Sequence, residues 1–403
     1  MANLLISVLG RGPYRPDGSR GDYRSTRYAF SRPGDAEPWV SPATKHFAHA
    51  ACLFQESQPD LPPFDEVILL GTSGSMWDVL ADSFGADSET GLTETVMQLC
   101  DRVDAATIDQ ATLDRYAEEL NAGRDRPLRL LLIPSAVDLQ HQAEILNQIE
   151  GLVDRRDRVW LDVTHGFRHL PMIGLAASAL VSSQKRAEIV EIAYGALDMT
   201  RDGQTPVVSL TWILNLLRAN SGMTEMIRHQ NPRPLIDCFP PGPLRESLDD
   251  IAYKLDVMRI DEAALAARAA IKQLESSLPD LSVDLQLLAG VLRDRLDRYA
   301  RQSRTVKGLT QMARLALDQD DFLRASIFLS EAVDLADKHN VPGDIDQDDR
   351  LKAVRHWLAH AGKLNVRRED RQVREWVSSR GNLRQFLSAQ VDRLSREVKG
   401  ANA

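Results

Sequence analysis

Residues 158–185 read RVWLDVTHGFRHLPMIGLAASALVSSQK, and the arrangement of apolar and polar residues changes twice along this stretch. It opens with an apolar run typical of a buried strand and closes with a segment, 170–185, that favours a helix. Strand, loop and helix in this order form the unit of a parallel α/β sheet, whose ligands lie at the carboxyl ends of the strands. The loop carries several polar side chains that can meet a ligand there, namely Asp162, Thr164, His165, Arg168 and His169.

The first half of the chain repeats this alternation of strands and helices. The predicted strands are 4–10, 66–74, 128–136, 158–166 and 188–197. The predicted helices are 75–84, 137–154 and 170–185. Near-continuous apolar strands separated by helices predict a Rossmann-like, doubly wound parallel sheet. Residues 11–45 are rich in Arg, Gly, Pro and Tyr, and we predict a β-hairpin or an irregular segment there.

The second half of the chain has a different pattern. A proline-rich segment, NPRPLIDCFPPGP (231–243), precedes it, and beyond this segment the strand-like runs stop. Apolar residues then recur at helical spacing, which predicts an all-α domain. We predict a first domain over 1–220, a linker over 221–245 and a helical domain over 246–403. The predicted helices are 260–278, 285–302, 322–338, 348–362 and 374–398.

The composition, 43% hydrophobic and 27% charged, is typical of a soluble globular protein. No apolar run approaches the roughly 20 residues needed to span a bilayer, and the first residues do not resemble a signal peptide. The scattered cysteines Cys52, Cys100 and Cys238 argue against a disulfide framework or a cysteine-rich zinc site. We therefore expect a cytoplasmic protein.

Charge is distributed unevenly along the chain, which carries a net charge of −9. Residues 350–399 hold 13 Lys and Arg against 5 Asp and Glu, which gives this stretch a charge of +8. A basic stretch on an acidic protein is consistent with a nucleic-acid surface or with a set of solvated helix faces.

Three loops at predicted strand ends combine small and polar residues: GRGPY (10–14), GTSGSMW (71–77) and DVTHGFRHLP (162–171). Backbone amides at such loops bind phosphates, and Arg168 can pair with one. The chain has neither a full GxGxxG nor a GxxxxGK[ST] motif, so a conventional NAD or ATP site is disfavoured. His165 and His169 lack the further ligands of a metal site. Together the loops predict a nucleotide-binding crevice.

Near the C-terminus the stretch RHWLAH (355–360) permits three interpretations. It can be a helix surface with Trp357 and Leu358 turned inward. It can be a metal site, since His356 and His360 share a helical face, although the Glu of HExxH and a third ligand are missing. It can also cut RNA without metal, because histidine moves protons near neutral pH and arginine binds the scissile phosphate. Arg355 and His360 lie about 140° apart on one helix, so two copies facing each other would be needed.

The first half resembles the CARF domains of CRISPR-associated proteins from type III systems, over roughly residues 1–220. The resemblance rests on LGRGPY, LLGTSGSMW and above all DVTHGFRHLP. It implies a Rossmann-like domain that dimerises and binds cyclic oligoadenylate of four or six adenylates as its activator, without cofactor or metal. The implied ligand contacts are Gly10, Arg11, Gly12, Thr72, Ser73, Gly74, Thr164, His165, Gly166 and Arg168.

RHWLAH in turn resembles the R-[NHD]-x3-H motif of HEPN domains, and CARF–HEPN fusions are ribonucleases. The resemblance implies that Arg355 and His360 are catalytic and that His356 supports them. It implies a homodimeric or larger endoribonuclease that cuts single-stranded RNA in antiviral defence and leaves 2′,3′-cyclic phosphate ends.

Three alternatives to this function remain open. The first domain can be a ring nuclease that degrades its own messenger, with Thr164, His165 and Arg168 as candidate residues. The protein can be a ligand sensor or regulator with an inactive effector domain. It can also be a toxin-like nuclease that is controlled by a partner protein and does not respond to the messenger.

Overall fold

The computed structural model describes residues 1–13, 16, 20–32, 34–85, 92–166, 170–338, 345–360 and 371–401. Its contacts divide the chain into two compact units, Met1–Leu214 and Asn215–Ala403. The first unit combines a β-sheet with helices, and the described part of the second is helical. The structure therefore has the predicted order, with an α/β unit followed by a helical unit. The helices of the described chain are also too short or too polar to cross a membrane.

The first unit is built on a mixed sheet of eight strands in the order β3-β2-β8-β7-β6-β1-β4-β5. All five predicted strands are present as β1, β4, β5, β6 and β7, and they run parallel to one another. The strands are β1 (Asn3–Leu9), β2 (Arg27–Phe30), β3 (Trp39–Val40), β4 (Glu66–Gly71), β5 (Leu128–Leu132), β6 (Arg158–Asp162), β7 (Glu188–Gly195) and β8 (Gln204–Ser209).

Strand β1 is the middle one of the five parallel strands, and all seven of its residues are buried, as expected for a strand that is covered on both faces. It pairs with β4 on one side and with β6 on the other. Among the five parallel strands, β4 and β5 lie on one side of β1, and the later strands β6 and β7 lie on the other. The strand order therefore reverses between β1 and β6, and the carboxyl ends of the strands at such a point are the usual ligand position.

The sheet is less uniform than the predicted doubly wound arrangement, because β8 runs antiparallel to β7. Residues 11–45 contribute β2 and β3, which pair antiparallel, in agreement with the predicted hairpin. This pair does not stand apart from the sheet, since β2 extends it by pairing in parallel with β8.

Helices cover both faces of this sheet with separate apolar clusters. The predicted helix over 170–185 is present with those bounds, and the one over 137–154 is slightly shorter. A 3₁₀ turn over Trp77–Val79 precedes α2 within the predicted 75–84 helix. The helices are α1 (Phe47–Ser57), α2 (Leu80–Phe84), α3 (Leu92–Asp104), α4 (Gln110–Asn121), α5 (Leu139–Leu152) and α6 (Leu170–Lys185).

The second unit packs its helices around one apolar core. Every helix predicted for this half is present, and the one predicted over 374–398 is divided into two. The helices are α7 (Thr211–His229), α8 (Arg233–Ile236), α9 (Pro243–Asp256), α10 (Ile260–Ser277), α11 (Val283–Ala300), α12 (Val306–Asp318), α13 (Phe322–Lys338), α14 (Ile345–Ala359), α15 (Arg371–Val377) and α16 (Arg380–Ala401).

The division between the units lies earlier than the predicted boundary at 220, and the segment predicted as a linker, 221–245, belongs to the helical unit. Leu235, Ile236 and Phe239 are buried in its core. Pro234 and Pro243 stand in the first turns of α8 and α9, where the missing N–H group breaks no helical hydrogen bond. A cluster of prolines therefore marks two helix starts here, and not an extended linker.

Candidate functional site

The three predicted ligand loops meet at Gly10, directly after β1. The Gly10 carbonyl accepts a hydrogen bond of 3.0 Å from the backbone N–H of Met76, in the loop after β4. Its Cα faces Gly166, in the loop after β6, so closely that a methyl group at Gly10 would lie 2.5 Å from the Gly166 nitrogen. Only a residue without a side chain allows this approach. The structure thus brings the loops after β1, β4 and β6 together at the sheet edge.

Arg11 and Gly12 extend this convergence. The exposed Arg11 side chain lies over Gly74, where a methyl group would stand 2.6 Å from the Arg11 Nε. Gly12 is buried against the Met76 sulfur and the Gly21 carbonyl. Arg11 therefore places a cation at the edge where the loops meet, and cations at such an edge attract phosphate groups.

The loop after β4 is held in a tight turn by Ser75 and Trp77. The Ser75 hydroxyl accepts a hydrogen bond of 2.8 Å from the Thr72 N–H and donates one of 3.0 Å to the Leu9 carbonyl. The Trp77 indole donates to the Thr72 carbonyl over 2.9 Å. Thr72 is buried in this turn and Ser73 is half-buried. The turn is fixed by internal hydrogen bonds before any ligand arrives.

The residues of the loop after β6 differ in their burial and in their contacts. The Thr164 hydroxyl accepts a hydrogen bond of 2.8 Å from the Gly195 N–H, and Gly166 is exposed with a φ of 115°. The His165 ring is buried and stacks on Tyr23 with ring centres 4.5 Å apart. Burial lowers the pKa of His165 to about 4, so the ring is neutral at pH 7. Its role as a ligand contact stays a prediction, as do those of Thr164 and Gly166.

Two of the predicted residues of this loop, Arg168 and His169, lie outside the described residues. The predicted contact between Arg168 and a phosphate therefore stays a prediction.

Asp162, at the end of β6, is a fully buried carboxylate that organises this loop. It accepts hydrogen bonds from the Ser7 hydroxyl over 2.5 Å and from the Thr164 N–H over 2.8 Å. Burial nevertheless dominates and raises the pKa of Asp162 from 3.8 to about 6. The folded protein therefore binds the proton of Asp162 more tightly than the unfolded chain does.

This shift predicts a pH dependence of stability. Because the folded-state pKa is raised, the contribution of Asp162 is most favourable below about pH 4 and is lost as the pH rises to about 6. Relative to Asp162→Asn, which keeps the acceptor for the Thr164 N–H, the wild-type free energy of unfolding should fall by about 2–3 kcal/mol over this range. Urea denaturation of both proteins at several pH values measures this difference. A constant difference would contradict the shift.

Tyr23 and His46 also belong to this site, although no pattern in the sequence indicates them. Tyr23 lies in the irregular segment before β2, where no periodicity indicates which side chains are buried. His46 is fully buried just before α1, with its ring centre 5.4 Å from that of His165. Neither His46 nitrogen has a hydrogen-bond partner among the described residues. The sequence shows only that a tyrosine and a histidine are present at these positions, and it does not show that they are buried.

In the second unit, Arg355 lies on α14, and His360 directly follows the helix end at Ala359. Arg355 is half-buried, whereas His356 and His360 are exposed. The two histidine rings are neighbours, with centres 4.3 Å apart, and the His360 N–H donates to the His356 carbonyl over 3.0 Å. Trp357 and Leu358 are half-buried. In the described part of the chain no three His, Cys, Asp or Glu residues group as metal ligands.

The basic stretch at 350–399 is partly neutralised by acidic partners within its own unit. Arg380 and Arg384 both contact Asp320, Arg393 contacts Asp348 and Glu397, and Lys352 lies 3.3 Å from Asp334. Arg355 has no such acidic partner among the described residues. Among the described residues it therefore differs from these paired cations.

Comparison with known proteins gives one distant similarity, and no protein-family model matches the chain. The chain is 21% identical over 374 residues to the CRISPR-associated protein MJ1674 of Methanocaldococcus jannaschii. The aligned region covers 88% of this chain but 57% of that relative, so the chain spans little more than half of its length. The similarity supports the CRISPR-associated part of the predicted resemblance and reaches no further.

Proposed function

We propose that this chain is a CRISPR-associated endoribonuclease that works as a homodimer and is activated by cyclic oligoadenylate. In this proposal the α/β unit binds the messenger and the helical unit cuts single-stranded RNA without a metal ion. The observation that carries the proposal is the meeting of three small-residue loops at Gly10, at the edge where an α/β sheet binds ligands.

The shape and charge of that edge support an oligonucleotide messenger. Gly10, Gly12 and Gly74 are buried and let the loops pack closely, and the exposed Gly166 leaves the main chain accessible to a phosphate backbone. The exposed Arg11 supplies a positive charge there. The edge offers no acidic side chain from Gly10 to Gly12 or from Thr72 to Gly74.

The chemistry of Arg355 and His360 supports RNA cleavage. The exposed imidazole of His360 can transfer protons between the attacking 2′-hydroxyl and the leaving 5′-oxygen. The guanidinium of Arg355 can stabilise the negative charge on the phosphate. His356, whose ring neighbours that of His360, is proposed to orient it. In the proposed dimer the two copies supply these groups jointly, and messenger binding favours the aligned state.

A fluorogenic RNA cleavage assay in EDTA tests this proposal. The purified protein is assayed alone, with cyclic tetra-adenylate and with cyclic hexa-adenylate. We expect cleavage with one ring and little without it, because activation requires a ligand that favours the active state. Cleavage that depends on a divalent ion would contradict the metal-free mechanism. Binding without cleavage would favour a sensor with an inactive effector, and loss of the messenger itself would favour a ring nuclease.

A further inference from the structure

Tyr23 makes two reciprocal hydrogen bonds with Gly10. The Gly10 N–H donates to the Tyr23 hydroxyl over 2.8 Å, and the same hydroxyl donates to the Gly10 carbonyl over 2.7 Å. Tyr23 is 8% exposed, so both bonds are shielded from water. One side chain thus fixes both polar groups of the residue at which the three loops meet. It also occupies the Gly10 N–H, which is therefore not free to bind a ligand.

The ring of Tyr23 contacts the loop after β6 through His165. The rings of Tyr23 and His165 are nearly parallel, with an angle of 17° between their planes. His165 is buried by this contact, and no polar group among the described residues accepts or donates at its Nε2. The orientation of His165 therefore depends on packing against Tyr23 and not on hydrogen bonds from that nitrogen.

Tyr23 is itself anchored by the residues around it. Arg20 forms a bidentate ion pair with Asp78, at 2.7 and 2.9 Å, and contacts Asp104 at 2.8 Å. The Gly21 N–H donates to the Pro13 carbonyl over 2.6 Å, which closes the segment onto the loop after β1. The segment 20–23 is thus fixed on one side to the elements that follow β4 and on the other to the ligand loop.

We propose that Tyr23 is a positioning residue that sets the backbone of Gly10 and, through His165, joins the loop after β1 to the loop after β6. This inference rests on the proposed function and deepens it, because it assigns the segment 20–23 to the control of messenger affinity. Tyr23 does not touch the messenger itself. It acts by holding the loops in the binding geometry before the messenger arrives, which lowers the entropic cost of binding.

Tyr23→Phe tests this role, since it removes the hydroxyl and keeps the ring that stacks on His165. The matched control is Tyr28→Phe. Tyr28 is buried in the same unit, but its hydroxyl has no hydrogen-bond partner among the described residues. We expect amide hydrogen exchange at Gly10, measured without any ligand, to be faster on the order of tenfold in Tyr23→Phe and unchanged in Tyr28→Phe.

A second measurement connects Tyr23 to the messenger. Cyclic tetra-adenylate and cyclic hexa-adenylate are each titrated in the cleavage assay. In Tyr23→Phe the concentration for half-maximal cleavage should rise on the order of tenfold, while the rate at saturating messenger stays that of the wild type. A purely structural role would lower the maximal rate through loss of folded protein and leave the half-maximal concentration unchanged, and that result would overturn the proposal.

The two measurements separate failure of the positioning role from failure of the proposed function. Unchanged exchange at Gly10 in Tyr23→Phe would overturn the role of Tyr23, whatever the wild-type protein does with RNA. If the wild type does not respond to either ring, the proposed function fails, and the proposal for messenger affinity fails with it. Should Tyr23→Phe not fold, Arg20→Gln loosens the same segment from its anchor. It should raise exchange at Gly10 in the same direction, and no change there would overturn the proposal.

Discussion

Replacing either Arg355 or His360 with alanine is expected to reduce messenger-activated RNA cleavage by at least about a hundredfold. His360 is proposed to move the proton in the transition state, and a positioned general acid or base typically contributes 10²–10⁴-fold. Arg355 is proposed to stabilise the developing charge on the phosphate, an effect of similar size. Initial cleavage rates at saturating cyclic oligoadenylate measure the loss.

Lys352→Ala is the matched control for these variants. It also removes a positive charge from α14, but Lys352 is an exposed side chain that pairs with Asp334 at 3.3 Å. We expect it to keep cleavage within a few fold of the wild type, since exposed ion pairs contribute little. Messenger binding should persist in all three variants because these residues belong to the helical unit. If Lys352→Ala and Arg355→Ala lost equal cleavage activity, Arg355 would contribute only to the general electrostatic attraction of RNA.

Gly10→Ala is expected to have the largest effect on the α/β unit. The new methyl group would stand 2.5 Å from the Gly166 nitrogen and 2.8 Å from its Cα, and backbone atoms cannot move aside as a flexible side chain does. Overpacking of this kind typically costs about 1–3 kcal/mol. The loops after β1 and β6 must then separate, so the messenger concentration for half-maximal cleavage should rise at least about tenfold. Urea denaturation and messenger titration measure the two effects.

Gly151→Ala provides the control for this substitution. Gly151 lies near the end of α5, where a methyl group would meet no atom within 4 Å. Alanine favours a helix over glycine by about 0.5–1 kcal/mol, so this variant should be at least as stable as the wild type. Wild-type stability together with wild-type messenger response in Gly10→Ala would contradict the close approach of the two loops.

The parallel strands were predictable because their residues are buried on both faces and read as continuous apolar runs. Strand β8 was not, since Gln204–Ser209 is a short segment with a proline and exposed ends. Its place in the sheet depends on pairing with β7, a tertiary contact that the local pattern does not contain. The predicted linker failed to appear for a similar reason, because proline is compatible both with a linker and with a helix start.

The convergence of the ligand loops was also predictable, because the carboxyl ends of neighbouring parallel strands share one edge. The direction of each side chain was not. The contact between the rings of His165 and Tyr23 could not be predicted, because Tyr23 comes from a segment more than a hundred residues earlier with no regular pattern. Spacing reveals which loops come together, whereas the packing of individual rings depends on distant contacts.

The position of β1 between β4 and β6 has a consequence during protein synthesis. Its neighbour β6 lies about 150 residues later in the chain. At about 5–20 residues per second, the ribosome needs roughly 8–30 s to make that interval. During this time the apolar β1 pairs with β4 on one side at most, and an open apolar strand edge invites pairing with other nascent chains. We therefore expect the apolar edge of β1 to need protection from other nascent chains until β6 has been synthesised.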